Sequence, residues 1–382
     1  MSAASGSSGP VDRRDPAWAD HVTASPRPGG RRPRRQPAPG VPDGVIEVRP
    51  WPPRTALLIA EEPYPTAVDA LRRVGFSTVR VETPASAERI AELDPFTYVL
   101  IGPEVLGRPG CPDLLDALRS LSPVARFLLL SDGDVDASIL LAAIRAGVQE
   151  VVDPLDQITL LTTLRVQLER SGRTRERVLA VGAHPDDVEI GCAGTLLEHR
   201  RQGDRISVLT LSRGAVGGES DDRTDEAADA ATLLGAQLLL ADLPDTRVSA
   251  GIQTITIIED VVRALDPTIV YVHSAHDIHQ DHRAVHAATT SAARTVPTVM
   301  AYQSPSADNG FVPTAFVPID RVVDRKVDVL ACHVSQAGRS YLDPETVVST
   351  ARYWGRRIAT HARFAEPFEV LRSIDHVGGP LP

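Results

Sequence analysis

Short apolar runs alternate with amphipathic helical stretches twice along this chain, and that repetition leaves few folds open. In the first series, from Arg54 to about Arg170, residues 56–60, 78–81, 98–101, 127–130 and 150–152 have strand length, and segments such as 67–74 and 137–146 carry apolar residues at helical spacing. Strands separated by helices run parallel, with the helices covering both faces of the sheet. The second series begins at Val178, with strands expected at 178–181, 206–211, 238–240, 269–272 and 299–301. Its helices are expected at 188–202, 226–234, 252–265, 283–294, 324–333 and 346–361. Each series predicts a doubly wound α/β domain, and in the second the functional groups should gather beyond the carboxyl ends of the strands.

At 382 residues the chain is too long for one ordinary core, in keeping with two domains and a tail. Residues 1–52 are rich in Pro, Gly, Ser and Arg without an apolar period, so disorder is expected there. The domains are then 53–172 and 173–382, linked by the charged stretch after Gly172. No apolar stretch approaches the length of a bilayer span, and the N-terminus lacks the basic head and apolar core of a secretory signal. A cytoplasmic address is expected, and the widely separated Cys111, Cys192 and Cys332 fit a reducing compartment. A net charge of -10 with 4% aromatic residues argues against a nucleic-acid surface, which needs a basic stripe and stacking platforms. Arg31, Arg32, Arg34 and Arg35 form a basic run inside the tail and are read as solvated. Lys326 is the only lysine, so a phosphate loop ending in Lys, a lysine Schiff base and a kinase lysine are excluded everywhere else.

The first series, with Glu61 and Glu62 after its first strand, Ser131 after its fourth and Ala146-Gly147-Val148-Gln149-Glu150-Val151-Val152-Asp153-Pro154 at its close, resembles the response-regulator receiver family, which has a flavodoxin-like fold. The resemblance fails at the chemistry. Tyr98-Val99-Leu100-Ile101-Gly102 has no Asp where receivers place the phosphoacceptor, and Asp153 stands before Pro154 where they place lysine. Phosphoryl transfer to a carboxylate needs both groups, so the resemblance implies a pseudo-receiver with Glu61 and Glu62 as a solvated relic, acting as a docking or regulatory module for a protein partner.

In the second series, Val178-Leu179-Ala180-Val181-Gly182-Ala183-His184-Pro185-Asp186-Asp187 reads as a buried strand, a polar turn and a helix opening. His184 and Asp187 can converge on one metal from a turn that Pro185 stiffens, with Asp186 left as a carboxylate beside them. The competing reading is a helix start in which Asp186 or Asp187 is only an N-cap. Five of the eleven histidines, His273, His276, His279, His282 and His286, follow another buried strand, and histidine at this density is costly to bury without partners. Two ligands from the first cluster and one from the second would leave an open position, as catalytic zinc requires. His273, His276 and His286 are then structural or peripheral, and Cys192 is read as packing.

Ala183-His184-Pro185-Asp186-Asp187, Gly191-Cys192-Ala193-Gly194-Thr195-Leu196, Arg223 and Glu226 ahead of Leu234-Gly235-Ala236, and His279-Gln280-Asp281-His282-Arg283 follow in that order. Tyr302-Gln303-Ser304-Pro305-Ser306, His333-Val334-Ser335-Gln336 and Ala365-Glu366-Pro367-Phe368-Glu369 come later. With these motifs the chain from about Val178 to Arg372 resembles the PIG-L or LmbE-like deacetylases, Rossmann-like zinc enzymes that remove acetyl groups from N-acetylglucosaminyl and related substrates. The resemblance implies that His184, Asp187 and His282 bind Zn2+ and that Asp186 is the general base. It further implies that His279 steadies the oxyanion as an imidazolium, Asp281 orients a histidine, and Arg223 with Glu226 meets an N-acetylated sugar conjugate. Gln280 stands where many members have Pro, residues 211–215 lack the acidic residue often found after their glycine, and Asp277 lies near a position where some relatives supply tyrosine. Those departures bear on substrate identity and oxyanion tuning. A different class of function stays open, a non-catalytic signalling or scaffold protein that works through the receiver-like domain, as does hydrolysis of another amide or ester.

Overall fold

Val45–Arg49 forms the first strand, β1, although its composition had placed it in the tail. It pairs antiparallel with β9 (Gln237–Leu243), almost two hundred residues on, and Val45 is buried. The assignment of residues 1–52 to a disordered tail is therefore corrected for this segment: a strand that gains its ladder and apolar contacts from a distant partner needs no local signal. The structure, a computed structural model, describes residues 41–82, 95–108, 110–133, 135–169, 175–358 and 362–374. Residues 1–40, the stretch 170–174 around Gly172 and the end of the expected helix at His361 lie outside them.

The first sheet contains β2 (Arg54–Ile59), β3 (Phe76–Val81), β4 (Tyr98–Ile101), β5 (Arg126–Leu130) and β6 (Glu150–Val152), in the order β3-β2-β4-β5-β6. Every pairing is parallel. Along β2, Leu57 and Ile59 enter one apolar cluster while Ala56 and Leu58 enter another. Both faces are thus buried, which is why the strands read as unbroken apolar runs. Helices α1 (Pro65–Arg73), α2 (Pro103–Leu106), α3 (Cys111–Leu121), α4 (Ala137–Arg145) and α5 (Gln157–Glu169) accompany it. Gly102 leads from β4 straight into α2. Glu61 is tied to Arg108, and its amide donates to Glu104 Oε1 at 2.8 Å. Asp153 accepts from the amide of Leu155 at 2.8 Å, a local turn.

The second sheet has eight strands, ordered β1-β9-β8-β7-β10-β11-β13-β12. Its middle, β9, β8 (Arg205–Ser212), β7 (Arg177–Gly182), β10 (Ile269–His273) and β11 (Thr298–Tyr302), is parallel. β13 (Ala365–Ser373) and β12 (Ala315–Pro318) extend it antiparallel. Val178 and Ala180 of β7 face one core, Leu179 and Val181 the other. The helices are α6 (Asp187–Arg201), α7 (Ser220–Leu234), α8 (Ile252–Leu265), α9 (Gln280–Ala292), α10 (Val323–Leu330) and α11 (Pro344–Gly355). α11 starts earlier than expected because Asp343 caps it, accepting from Thr346 N at 3.1 Å with Pro344 in the first turn. Among the described residues no helix is long and apolar enough to cross a membrane.

Candidate active site

From β7 the chain steps to β8 and β9 on one side, then returns to place β10 and β11 on the other. Connections leaving β7 and β10 in opposite directions open a crevice beyond their carboxyl ends, the place where open α/β sheets bind ligands. β7 ends at Gly182 and delivers His184, Asp186 and Asp187, while β10 ends at His273 and delivers Asp277, His279, Asp281 and His282. Asp245 arrives from the end of β9.

Asp186 occupies the N-cap position of α6, but its side chain makes no capping bond and its backbone sits at φ 108°. Such a conformation is strained for a residue with a side chain and persists only where surrounding contacts impose it. The reading of Asp186 as a mere helix cap therefore fails. Asp187 instead accepts from the amides of Ala183 at 3.1 Å and His184 at 2.7 Å, pulling the loop over its own carboxylate.

Of the three expected metal ligands, Asp187 lies against both histidines through different oxygens, and the three together are not one of the tight donor groups of the described residues. His184 Nδ1 lies 3.3 Å from Asp187 Oδ2, and His282 Nε2 lies 3.3 Å from Asp187 Oδ1. The rings of His184 and His282 are 5.6 Å apart between centroids. Among the described residues, ligand atoms within 4.8 Å of one another come from His184, His279 and His282, from Asp187, His273 and His282, and from His184, Asp245 and Asp281. Each ring has a carboxylate behind it: Asp277 Oδ2 lies 2.9 Å from His282 Nδ1, and Asp281 Oδ2 lies 3.2 Å from His184 Nε2. Carboxylates so placed fix ring orientation and raise ligand basicity. Imidazole and carboxylate donors at this density suit zinc, and His273, fully buried, keeps an Nδ1 with no protein partner.

Electrostatics are those of a site crowded with charge. Burial, with the Asp187 carboxylate beside it, pushes Asp186 up to about 8 against the opposing pull of Arg223. Burial would lower both histidines, but Asp187, Asp245 and Asp281 carry His184 up to about 12, and Asp187 with Asp277 carries His282 to about 9. Burial also favours a protonated Asp187, yet His282, His273 and His184 outweigh it and hold the carboxyl well below its ordinary range. His279 is lowered by burial and by the neighbouring His282 and His184. These influences oppose the imidazolium expected at His279.

Arg223 and Glu226, expected to meet substrate, are committed to the protein. Arg223 is buried, donates to Pro185 O and to Gly214 O at 3.2 Å, and stands 3.3 Å from Asp186 Oδ1. It ties the two loops together behind the proposed base. Glu226 accepts from the amide of Ser335 at 2.6 Å and from its hydroxyl at 2.7 Å. His273, read as peripheral, lies 3.2 Å from Asp187 Oδ2 and is stacked on His282, whereas His276 is half exposed and His286 bonds His273 O from outside the cluster. Asp245, 3.1 Å from His184, was not anticipated at all. The strand-end rule could have found both, since each ends or directly follows a parallel strand of the same sheet.

The family described as PIG-L: GlcNAc-PI de-N-acetylase matches residues 179–293, which hold every loop of this crevice from β7 to α9. YaiS, an uncharacterized deacetylase of Escherichia coli (strain K12), is 34% identical over 154 residues, 38% of this chain and 83% of the relative. Two solved structures are also similar. GalB, the 4-carboxy-2-hydroxymuconate hydratase of Pseudomonas putida KT2440, is 25% identical with a TM-score of 0.46, covering 54% of this chain and 99% of that one. The N,N'-diacetylchitobiose deacetylase of Pyrococcus horikoshii is 18% identical with a TM-score of 0.45, covering 51% and 84%. Because the family match falls on the residues that build this crevice and a deacetylase relative is 34% identical over 83% of its own length, the chain belongs to the PIG-L family of deacetylases.

Proposed function

We propose that the chain is a zinc-dependent hydrolase that removes an N-acetyl group from an amino-sugar conjugate in the cytoplasm. The observation that carries this reading is the contact of Asp187, from one strand end, with both His184 and His282, the latter delivered by a second strand end, in a buried cluster next to a strained carboxylate. These three residues would hold the ion, which when bound supplies Lewis acidity, polarising a carbonyl oxygen and making water a nucleophile near neutral pH. Asp186 takes the proton of the attacking water and returns it to the departing amine nitrogen, a cycle favoured by a carboxyl near 8. His279 accepts the amide hydrogen of Asp281 at Nδ1, 3.2 Å away, so the neutral ring keeps its proton on Nε2 and donates it to the developing oxyanion. Arg223 and Asp281 act as positioning residues for Asp186 and His184.

The first sheet is read as a pseudo-receiver that takes up no phosphate. Its β3-β2-β4-β5-β6 order supports that reading, as do Gly102 at the phosphoacceptor position and the tie of Glu61 to Arg108. Exposed Leu141, Ile144, Leu155 and Ile158 on the successive helices α4 and α5 and the loop between them would suit a protein partner.

The test combines metal analysis of the purified chain with acetate release from N-acetylglucosamine conjugates, with and without added zinc. One zinc per chain and zinc-dependent acetate are expected. Asp186→Asn should keep the metal and lose on the order of a hundredfold or more in rate. Neither bound metal nor acetate would return the chain to the scaffold class.

A further inference from the structure

The two sheets face each other with their amino ends, and a cavity of about 400 Å³ lies between them. Its lining precedes or opens β2, β3, β4 and β5 of the first sheet and β7, β8 and β9 of the second. It therefore sits at the opposite end of the second sheet from the deacetylase crevice, about 20 Å away along a six-residue strand.

Arg54, Arg175, Arg200 and Arg205 line this cavity, in a chain whose net charge is -10. Asp204 is the one carboxylate among the described lining residues. Both of its oxygens are already engaged, Oδ1 by the amide of Glu176 at 3.1 Å and Oδ2 by His199 Nδ1 at 2.7 Å. Among the described residues, Asp204 is the carboxylate whose charge acts on Arg175, and none is among the groups that shift Arg54. Arg205 lies over the ring of Trp51, 5.5 Å from its centroid, and Trp51 is itself anchored through Nε1 to Ile206 O at 2.9 Å. Burial first, and then the charges of Arg175 and Arg205, bring Arg54 down to about 10. Like charges gathered on both walls of a half-buried cleft destabilise it unless an anion joins them, and the guanidinium fork is the side chain best matched to phosphate oxygens.

We propose that this cleft binds a phosphate-bearing small molecule, whose oxyanion is held by Arg54 from the first sheet and by Arg175 and Arg205 from the second, so that the ligand ties the two sheets together. The volume suits a small ligand. The site is independent of the zinc reading, because its residues lie at the other end of the strands.

The experiment is calorimetric titration of the full chain with pyrophosphate at low salt, beside Arg54→Gln/Arg175→Gln and His184→Ala. One equivalent should bind the natural chain, the double arginine variant should lose at least tenfold in affinity, and His184→Ala should bind unchanged. Hydrogen exchange on the unsubstituted chain gives a readout that does not depend on the variants folding: pyrophosphate should slow exchange at residues 51–55 and 203–206. No binding, equal affinity in the arginine variant, loss of binding in His184→Ala, or protection confined to residues 183–188 would each overturn the proposal.

Discussion

His184 and His282 are surrounded by more negative charge than either needs as a neutral ring. Asp187, Asp245 and Asp281 face the first, Asp187 and Asp277 the second, and the balance against burial leaves them at about 12 and about 9. A nitrogen that ligates a metal must give up its proton, so protons and zinc compete for the same atoms. Both histidine values are raised, hence the protonated forms dominate at neutral pH and deprotonation becomes easier as pH rises. Apparent zinc affinity should therefore climb between pH 6 and pH 8, by about tenfold per unit for each proton displaced. Competition against a chelator of known, pH-corrected affinity measures it. An affinity flat across that range would mean that these nitrogens are not the ligands. At this scale the sequence was most informative about charge that must converge: His184 and Asp187 could be paired because both follow a strand of a parallel sheet, whereas His282 was singled out among five histidines only by the family resemblance. Arg223 could not be placed, since a guanidinium reads the same whether it meets a ligand or holds Pro185 and Gly214 together.

α6 shows what a local pattern conceals. The helix is kinked at Cys192, whose φ of -148° and ψ of 17° are not helical. The kink frees the amides of Gly194 and Thr195, which donate to Glu366 Oε1 at 2.9 Å and Oε2 at 2.6 Å. Lys326 Nζ bonds Glu366 Oε1 at 2.6 Å and Ile190 O at 2.7 Å, so the chain's only lysine joins both sides of the break. Gly191 is needed here for space, because a Cβ at that position would lie 2.2 Å from the Tyr302 ring. The lysine was useful in the sequence for the chemistries it excluded. Its structural role depends on Glu366 from a strand forty positions later, a pairing that no periodicity encodes. Lys326→Met leaves the buried Glu366 carboxylate without its cation and should cost about 3–5 kcal/mol in urea unfolding. Lys326→Met/Glu366→Gln, which removes both charges and keeps an acceptor for the freed amides, should recover most of that. A single variant within about 0.5 kcal/mol of the natural chain would show that the pair does not support the kink.

At the scale of the molecule, the chain visits the second sheet before it builds the first. β1 pairs with β9, then β2 to β6 form, and only with β7 does the chain resume the sheet it had begun. The two sheets were legible because each is assembled mostly from neighbouring βα units with short-range signals. β1 was not, since Pro42, Pro50, Pro52 and Pro53 flank it and its ladder partner lies in the other half of the sequence. The strand nevertheless supports β9 directly. Val45 sits in the same apolar cluster as Leu239 and Ala241, and Glu47 Oε1 accepts from Gln237 Nε2 at 2.6 Å. A chain beginning at residue 53 would lose this ladder, one buried valine worth about 1.5–3 kcal/mol, and the cover over an edge rich in leucine. We expect it to melt below the full chain and to self-associate through β9, in thermal unfolding and light scattering, whereas removal of residues 1–40 leaves both unchanged. If the chain from residue 53 melts with the full chain and stays equally dispersed, β1 contributes nothing to the sheet, and the deacetylase domain begins only at β7.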